Sequence, residues 1–392
     1  MDFQMMLIGT RIRTLNILYI LVTSFLIVTS CKKEESPEPS DLPDGDFKVV
    51  TYVPGWRDID FTKIPAQNIT HINYAFAEVK NGVITTTQEK DSAILVDLVG
   101  LKSKNADLKV LISVGGATLT GGFSDAALTE NSRNIFSKSV IDFILKHNLD
   151  GVDLDWEFPG YGDNSRPEDK LNFTHLLYKV RYSIDSLSTA EMRLDSNPYL
   201  LTIASGAASW TMDLMEMNKV TPVLDFYNVM MYDYKGSWSS ITGHHTNLYP
   251  SNDDPGSKFS SSTSVDLYLS AGVPPEKIML GAAFYGRWWS GVSNQNKGLY
   301  QSYSGGAGAL TFEAITTGYI SDPDFIKFWD SKALAPYLWS ANDRIFITYD
   351  DEVSIKYKTE YIREKGIAGI MVWELTQDYN YALLGAITRG FR

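Results

Sequence analysis

From Lys48 onward, short apolar segments of β-branched and aromatic composition recur, and each is followed by a longer segment of helical composition. This alternation limits the fold more than any other feature of the chain. Strands are predicted at Lys48–Tyr52, His71–Glu78, Lys109–Gly115, Gly151–Glu157, Leu200–Gly206, Phe226–Asp233, Lys277–Tyr285 and Gly369–Glu374. Strand-then-helix units build parallel sheets, because parallel neighbours need a long crossover connection. Eight such units within residues 47–392 fit a closed (β/α)8 barrel, the α/β fold of TIM-barrel type. An open doubly wound sheet is the alternative, but no GxGxxG or GxxxxGK turn follows the first strand to support it. The seventh and eighth predicted strands are separated by more than 80 residues, too many for one helix and its loops. A small α+β insertion is therefore expected at residues 287–346, where Gly, Ser, Tyr and Trp are dense.

Residues 1–30 read differently. Arg11 and Arg13 precede an apolar run from Leu15 to Val28 that is too short to span a bilayer and fits a signal segment. The run ends at the chain's single cysteine, Cys31, so intramolecular disulfides and cysteine-based zinc or redox motifs are excluded. The stretch VTSC resembles a bacterial lipobox with Cys31 as the lipidated residue, although Val28 stands where Leu is usual. Residues 31–46 are polar and rich in proline, which predicts a disordered tether. These features imply a lipid-anchored protein of the cell envelope, on the outer membrane and exposed at the surface. The membrane is expected to be met only through the anchor.

The net charge is -12, and removing residues 1–30 (Arg11 and Arg13 against Asp2, net +1) takes it to -13. An acidic protein of this kind lacks the basic face that nucleic acid requires. A monomer is expected.

The segment DGVDLDWE, Asp150 to Glu157, carries the chemistry. On a strand, the period of two sends Asp153, Asp155 and Glu157 to one face and Val152, Leu154 and Trp156 to the other. In a barrel the acidic row faces the interior, with Glu157 at the C-terminal end, where barrel active sites lie. Stacked carboxylates in a core cannot all stay ionised unless hydrogen-bonded, and a protonated carboxyl there is a ready general acid. An acidic edge strand would also show this pattern, but parallel strands are buried on both faces. A Mg²⁺ or Ca²⁺ site is a further alternative. It is weakened by few, dispersed histidines, and neither a metal nor another cofactor is expected.

DGVDLDWE resembles the DxxDxDxE signature of glycoside hydrolase family 18, the chitinase family. In order along the chain, SVGG at Ser113–Gly116, MMYD at Met230–Asp233, KIMLGAAFYGRWW, and YDDEVSIKYK followed by GIAGIMVWEL are similar to further motifs of that family. The resemblance runs from about Lys48 to the C-terminus.

It implies that Glu157 protonates the leaving glycosidic oxygen. Asp155 would orient the substrate's 2-acetamido group, whose carbonyl oxygen attacks the anomeric carbon with retention of configuration. Asp153 would share a proton with Asp155, with Asp150 and Ser113 as supports behind them. Tyr232 joins the catalytic set. Tyr52, Phe76, Gly116, Met230, Asp233, Arg287 and Trp373 are the implied substrate-binding residues. Many relatives carry Trp after SxGG, but Ala117 stands here, which puts the usual leaving-side platform in doubt. The implied substrate is chitin or another N-acetylglucosamine-containing glycan. The alternatives are an endo-β-N-acetylglucosaminidase acting on N-glycans and a non-catalytic chitin-binding lectin, since a fold alone does not fix function.

Overall fold

The computed structural model describes residues 47–193, 197–251, 253–255 and 258–392. The apolar leader, Cys31 and the proline-rich tether lie outside the described residues.

Eight parallel strands close into a ring. In chain order the strands are β1 (Lys48–Pro54), β2 (His71–Lys80), β3 (Val83–Thr86), β4 (Lys109–Gly115), β5 (Gly151–Asp155), β6 (Leu200–Gly206), β7 (Phe226–Met230), β8 (Ile278–Ala283), β9 (Tyr285–Trp289), β10 (Ala307–Thr311), β11 (Ile326–Asp330), β12 (Ala335–Ser340), β13 (Ile345–Thr348) and β14 (Gly369–Trp373). The ring runs β1-β2-β4-β5-β6-β7-β8-β14 and returns to β1, every contact parallel. β3 is a hairpin partner of β2 outside the ring. The expected (β/α)8 barrel is therefore the observed fold.

Two cores follow from the period of two. Outward residues such as Val49, Val53, Ile72, Val152, Leu154 and Trp156 pack against surrounding helices. Inward residues Val50, Tyr52, Phe226, Met279 and Met371 fill the barrel together with Phe76. Trp156 shows the division: its ring stacks on Phe123 at 5.4 Å and meets Phe173 edge-on at 5.3 Å, both from helices, Phe123–Leu128 and Asp169–Ala190. The side chains on either side of it, Asp155 and Glu157, line the cavity at the mouth of the barrel.

Several strands end earlier than their sequence suggested, and each early ending frees site residues. β5 stops at Asp155, so Glu157 stands just past the strand. β7 stops at Met230, and Asp233 turns out of it at φ 60°. The segment predicted as one strand through Tyr285 is two, broken at buried Phe284, whose N–H donates to the Trp373 carbonyl at 2.8 Å. There the chain leaves the barrel for a second sheet.

That sheet is the insertion, antiparallel in the order β10-β9-β13-β12-β11. It starts at Tyr285, two residues before the expected Arg287, because Tyr285 already pairs with Thr311. Trp289, Tyr300, Tyr337, Trp339 and Phe346 form its own core. The aromatics of the insertion are thus largely spent on holding it together, and its cleft-facing surface is Arg287 with Ala309–Thr311. The helix Glu352–Lys365 then starts at an Asp351–Ser354 capping box and ends at left-handed Gly366. Its Lys358 is fully buried and donates to Asp350 and to Thr246. This pair ties the helix to the loop after β7.

Candidate active site

The acidic row is built from β5 inward. Asp153 sits mid-barrel and accepts four hydrogen bonds: Tyr52 Oη and Ser113 Oγ at 2.8 Å each, Thr202 Oγ1 at 2.6 Å and Asn228 Nδ2 at 3.0 Å. Burial pushes its carboxyl up, and these four donors pull it down. A carboxylate has about four acceptor positions, so those of Asp153 are all taken, yet burial leaves its carboxyl raised on balance. Asp155 is different: its Oδ1 has no hydrogen-bond partner. Burial, then the charges of Glu157 and Asp153, drive its carboxyl well above the usual range. Both carboxyls are thus raised, Asp155 further than Asp153.

Glu157 is pushed up to about 7, first by burial and then by the Asp233 charge. Its own N–H donates to Thr120 Oγ1 at 3.1 Å. Asp233 is held the other way. Arg287 donates to it twice, Nε to Oδ1 at 2.8 Å and Nη2 to Oδ2 at 2.6 Å. Burial alone would raise its carboxyl, but His245, 3.7 Å away, and then Arg287 bring it down to about 2. Two carboxyls lining one cavity are thus shifted in opposite directions, to about 7 and about 2, the pattern that separates an acid from a fixed charge.

Tyr52, Trp56, Phe76, Ala117, Thr118, Asp155, Glu157, Met230, Tyr232, Asp233, Tyr285 and Trp373 line a cavity of about 260 Å³ at the strand ends. Phe76 and Trp373 stack at 5.6 Å, with Tyr52 and Trp56 within 6.3 Å of Trp373. The β2–β4 register shift between Ala75 and Ala77 marks where Phe76 leaves the regular strand. The Ala75–Phe76, Glu157–Phe158 and Trp373–Glu374 peptide bonds are cis. Burial and the surrounding carboxylates raise the Tyr232 hydroxyl well above its ordinary value, so it stays a neutral donor.

The cavity continues both ways. Through Glu157, Met230, Tyr232 and Asp233 it joins a space of about 430 Å³ walled by Phe158, Trp210, Tyr234, Trp238 and Phe259. Through Asp233, Tyr285 and Trp373 it joins one of about 270 Å³ bounded by Arg57, Arg287, Thr311 and Gln377. Glu157 stands at the first junction and not the second.

Two sequence-predicted residues play other parts. Asp150 is at the opposite, N-terminal end of β5, accepting from Val110 N at 2.8 Å and paired with Lys102 and Arg193. It braces the bottom of the barrel and does not support the carboxylates, because it stands three positions before Asp153, at the other end of the strand. Gly116, at φ +90°, lies behind Phe76: a Cβ there would come within 2.6 Å of the Phe76 ring. It makes room for a lining residue and is not one itself. Ser113 does support Asp153, and Arg287 reaches the cleft through Asp233. Among the described residues no group of three or more His, Cys, Asp or Glu is placed to hold a metal ion.

The family model for glycosyl hydrolases family 18 matches residues 48–378. The chain belongs to glycoside hydrolase family 18. It is a glycoside hydrolase of the chitinase family. Among its family 18 relatives, Chitinase A1 of Niallia circulans is 35% identical over 437 residues, covering 94% of this chain and 60% of that one. The chain thus spans less than two thirds of that relative. Chitotriosidase-1 of Mus musculus is 33% identical over 354 residues, covering 84% and 73% respectively. A solved family 18 N-acetylglucosaminidase from Paenibacillus barengoltzii is 41% identical with a TM-score of 0.80, over 88% of this chain and 99% of that one.

Family motifs in the sequence pointed to the residues on the strands. They did not point to Trp56, Phe158, Trp210 or Trp238, which reach the cleft of this family 18 barrel from loops, and Tyr285, inside a quoted motif, was not singled out. Aromatics beside motif residues, such as Phe158 next to Glu157, were the available signal.

Proposed function

We propose that this family 18 hydrolase cleaves β-1,4-linked N-acetylglucosamine polymers or oligomers with retention of configuration, the substrate's own acetamido group serving as nucleophile. The observation that carries the reading is the position of Glu157, pushed up to about 7, at the junction of two sugar-sized spaces, with unpartnered Asp155 and neutral Tyr232 on one side of it. A sugar over Trp373 places its acetamido group beside Asp155 and Tyr232. Glu157 protonates the glycosidic oxygen as the bond to the anomeric carbon breaks. The acetamido carbonyl oxygen takes that carbon, forming an oxazolinium ion. Water, losing its proton to the Glu157 carboxylate, then reopens the ring on the β face. As the acetamido N–H gives Asp155 the donor it lacks, Asp155 passes its proton to Asp153, and the charge left on Asp155 steadies the oxazolinium. No enzymic nucleophile is needed, an exception the general two-carboxylate scheme already allows for this family.

The names of the relatives support a chitin-like substrate over an N-glycan core. Incubation with chitotetraose, with cellotetraose and with a high-mannose glycoprotein tests it: only the first should be cut, and release of the glycan instead would overturn the substrate assignment. The chain is further proposed to act at the cell envelope, anchored through Cys31.

A further inference from the structure

We infer that the space bounded by Arg57, Arg287, Thr311 and Gln377 seats the sugar that precedes the attacked one, and that Arg57 makes it select a neutral N-acetylated unit over a cationic glucosamine unit. The inference rests on the proposed function and deepens it. Glu157 must stand between the attacked sugar and its leaving group, and it lies at the junction with the Trp210–Trp238 side. The space on the other side, sharing Asp233, Tyr285 and Trp373 with the central cavity, is then the non-reducing side.

Its charge has one sign. Of the ionic groups that bound it, Asp233 is already engaged by two donors of Arg287, leaving Arg57. Arg57 pairs with Glu374 at 3.6 Å, but unequally: the Arg57 side chain is 41% exposed and that of Glu374 1%. The pair therefore turns its positive end toward the space and keeps its negative end behind. The Arg57 Nε is buried and faces Glu374, so only the rest of the side chain meets the space. A hydroxyl or acetamido oxygen would be welcome there as an acceptor, and an ammonium would be repelled.

The test uses the whole enzyme on partially deacetylated chitosan, at a pH where the glucosamine amine is charged. Products are sequenced from the new reducing end by mass spectrometry. With the parent, the unit next to the new reducing end should be N-acetylglucosamine far more often than the polymer composition gives. Arg57→Gln should raise glucosamine at that position by about two- to fivefold, the effect of one partly exposed charge. Arg57→Lys should keep the parent's preference, and added salt should erode that preference in the parent but not in Arg57→Gln. Equal glucosamine frequencies in parent and Arg57→Gln would overturn the inference. Failure of the underlying reading would appear separately, as no cleavage of fully acetylated chitohexaose by the parent.

Discussion

Arg287 grips Asp233 through two parallel N–H donors, and so keeps a full negative charge beside Glu157. The pair is exchanged between two architectural units: Asp233 follows the barrel strand β7, and Arg287 lies on β9 of the insertion. The insertion thus reaches into the electrostatics of the barrel's acid as well as bounding the cleft.

The first consequence is in the pH profile. Glu157 donates only while protonated, so the rate should fall as pH rises through about 7. Burial is the larger cause of that raised value and Asp233 the second. Asp233→Asn removes a negative charge that opposes ionisation of Glu157, so the descending alkaline limb should move to lower pH. Profiles of kcat/KM on a chromogenic chito-oligosaccharide check this, and a limb that stays fixed or moves up would contradict it.

Glu157→Gln keeps shape and loses the transferable proton. Turnover of chitotetraose should fall by about 10²- to 10⁴-fold, while binding measured by calorimetry is retained. A rate within tenfold of the parent would remove Glu157 from the acid's role.

Gly116→Ala should both strain the backbone at φ +90° and press a methyl into the Phe76 ring. A loss of roughly 1–3 kcal/mol in denaturant unfolding is expected, with a raised KM as Phe76 shifts. Unchanged stability and KM would mean that the loop has room the structure does not show.

How much of this was readable in advance divides by periodicity. The barrel and the inward row of Asp153, Asp155 and Glu157 follow from a two-residue alternation that sequence displays directly. Asp150 was misassigned because the same motif runs to the far end of the strand, where its partners Lys102 and Arg193 come from separate segments. Trp210 and Trp238 were missed because loop positions carry no period. The density of Tyr and Trp marked the insertion, but it did not show that Trp289 and Trp339 face the inner side of their own sheet. A five-stranded sheet of this size needs its aromatics for its own core before it can offer any to a substrate.

The buried pair of Lys358 and Asp350 ties the closing helix to the barrel mouth. Lys358→Met leaves a buried carboxylate without its cation and should cost about 3–5 kcal/mol. Combining it with Asp350→Leu should cost less than the sum of the two single changes, because neither charge is then stranded. Urea unfolding of the three variants decides it, and strict additivity would show that the pair is not coupled.

For location, Cys31→Ala should abolish metabolic labelling with a radiolabelled fatty acid and release the protein from the membrane fraction. Continued partitioning with membranes would rule out the lipid anchor.

The most direct measurement of the account as a whole is proton NMR of chitotetraose during the first minutes of hydrolysis, before the anomers equilibrate. Attack by the acetamido oxygen on the α face, followed by water on the opposite, β face, predicts that the β-anomer dominates the newly formed reducing end. A dominant α-anomer, with Glu157 and Asp155 intact, would contradict substrate-assisted retention and with it the roles assigned to both carboxyls.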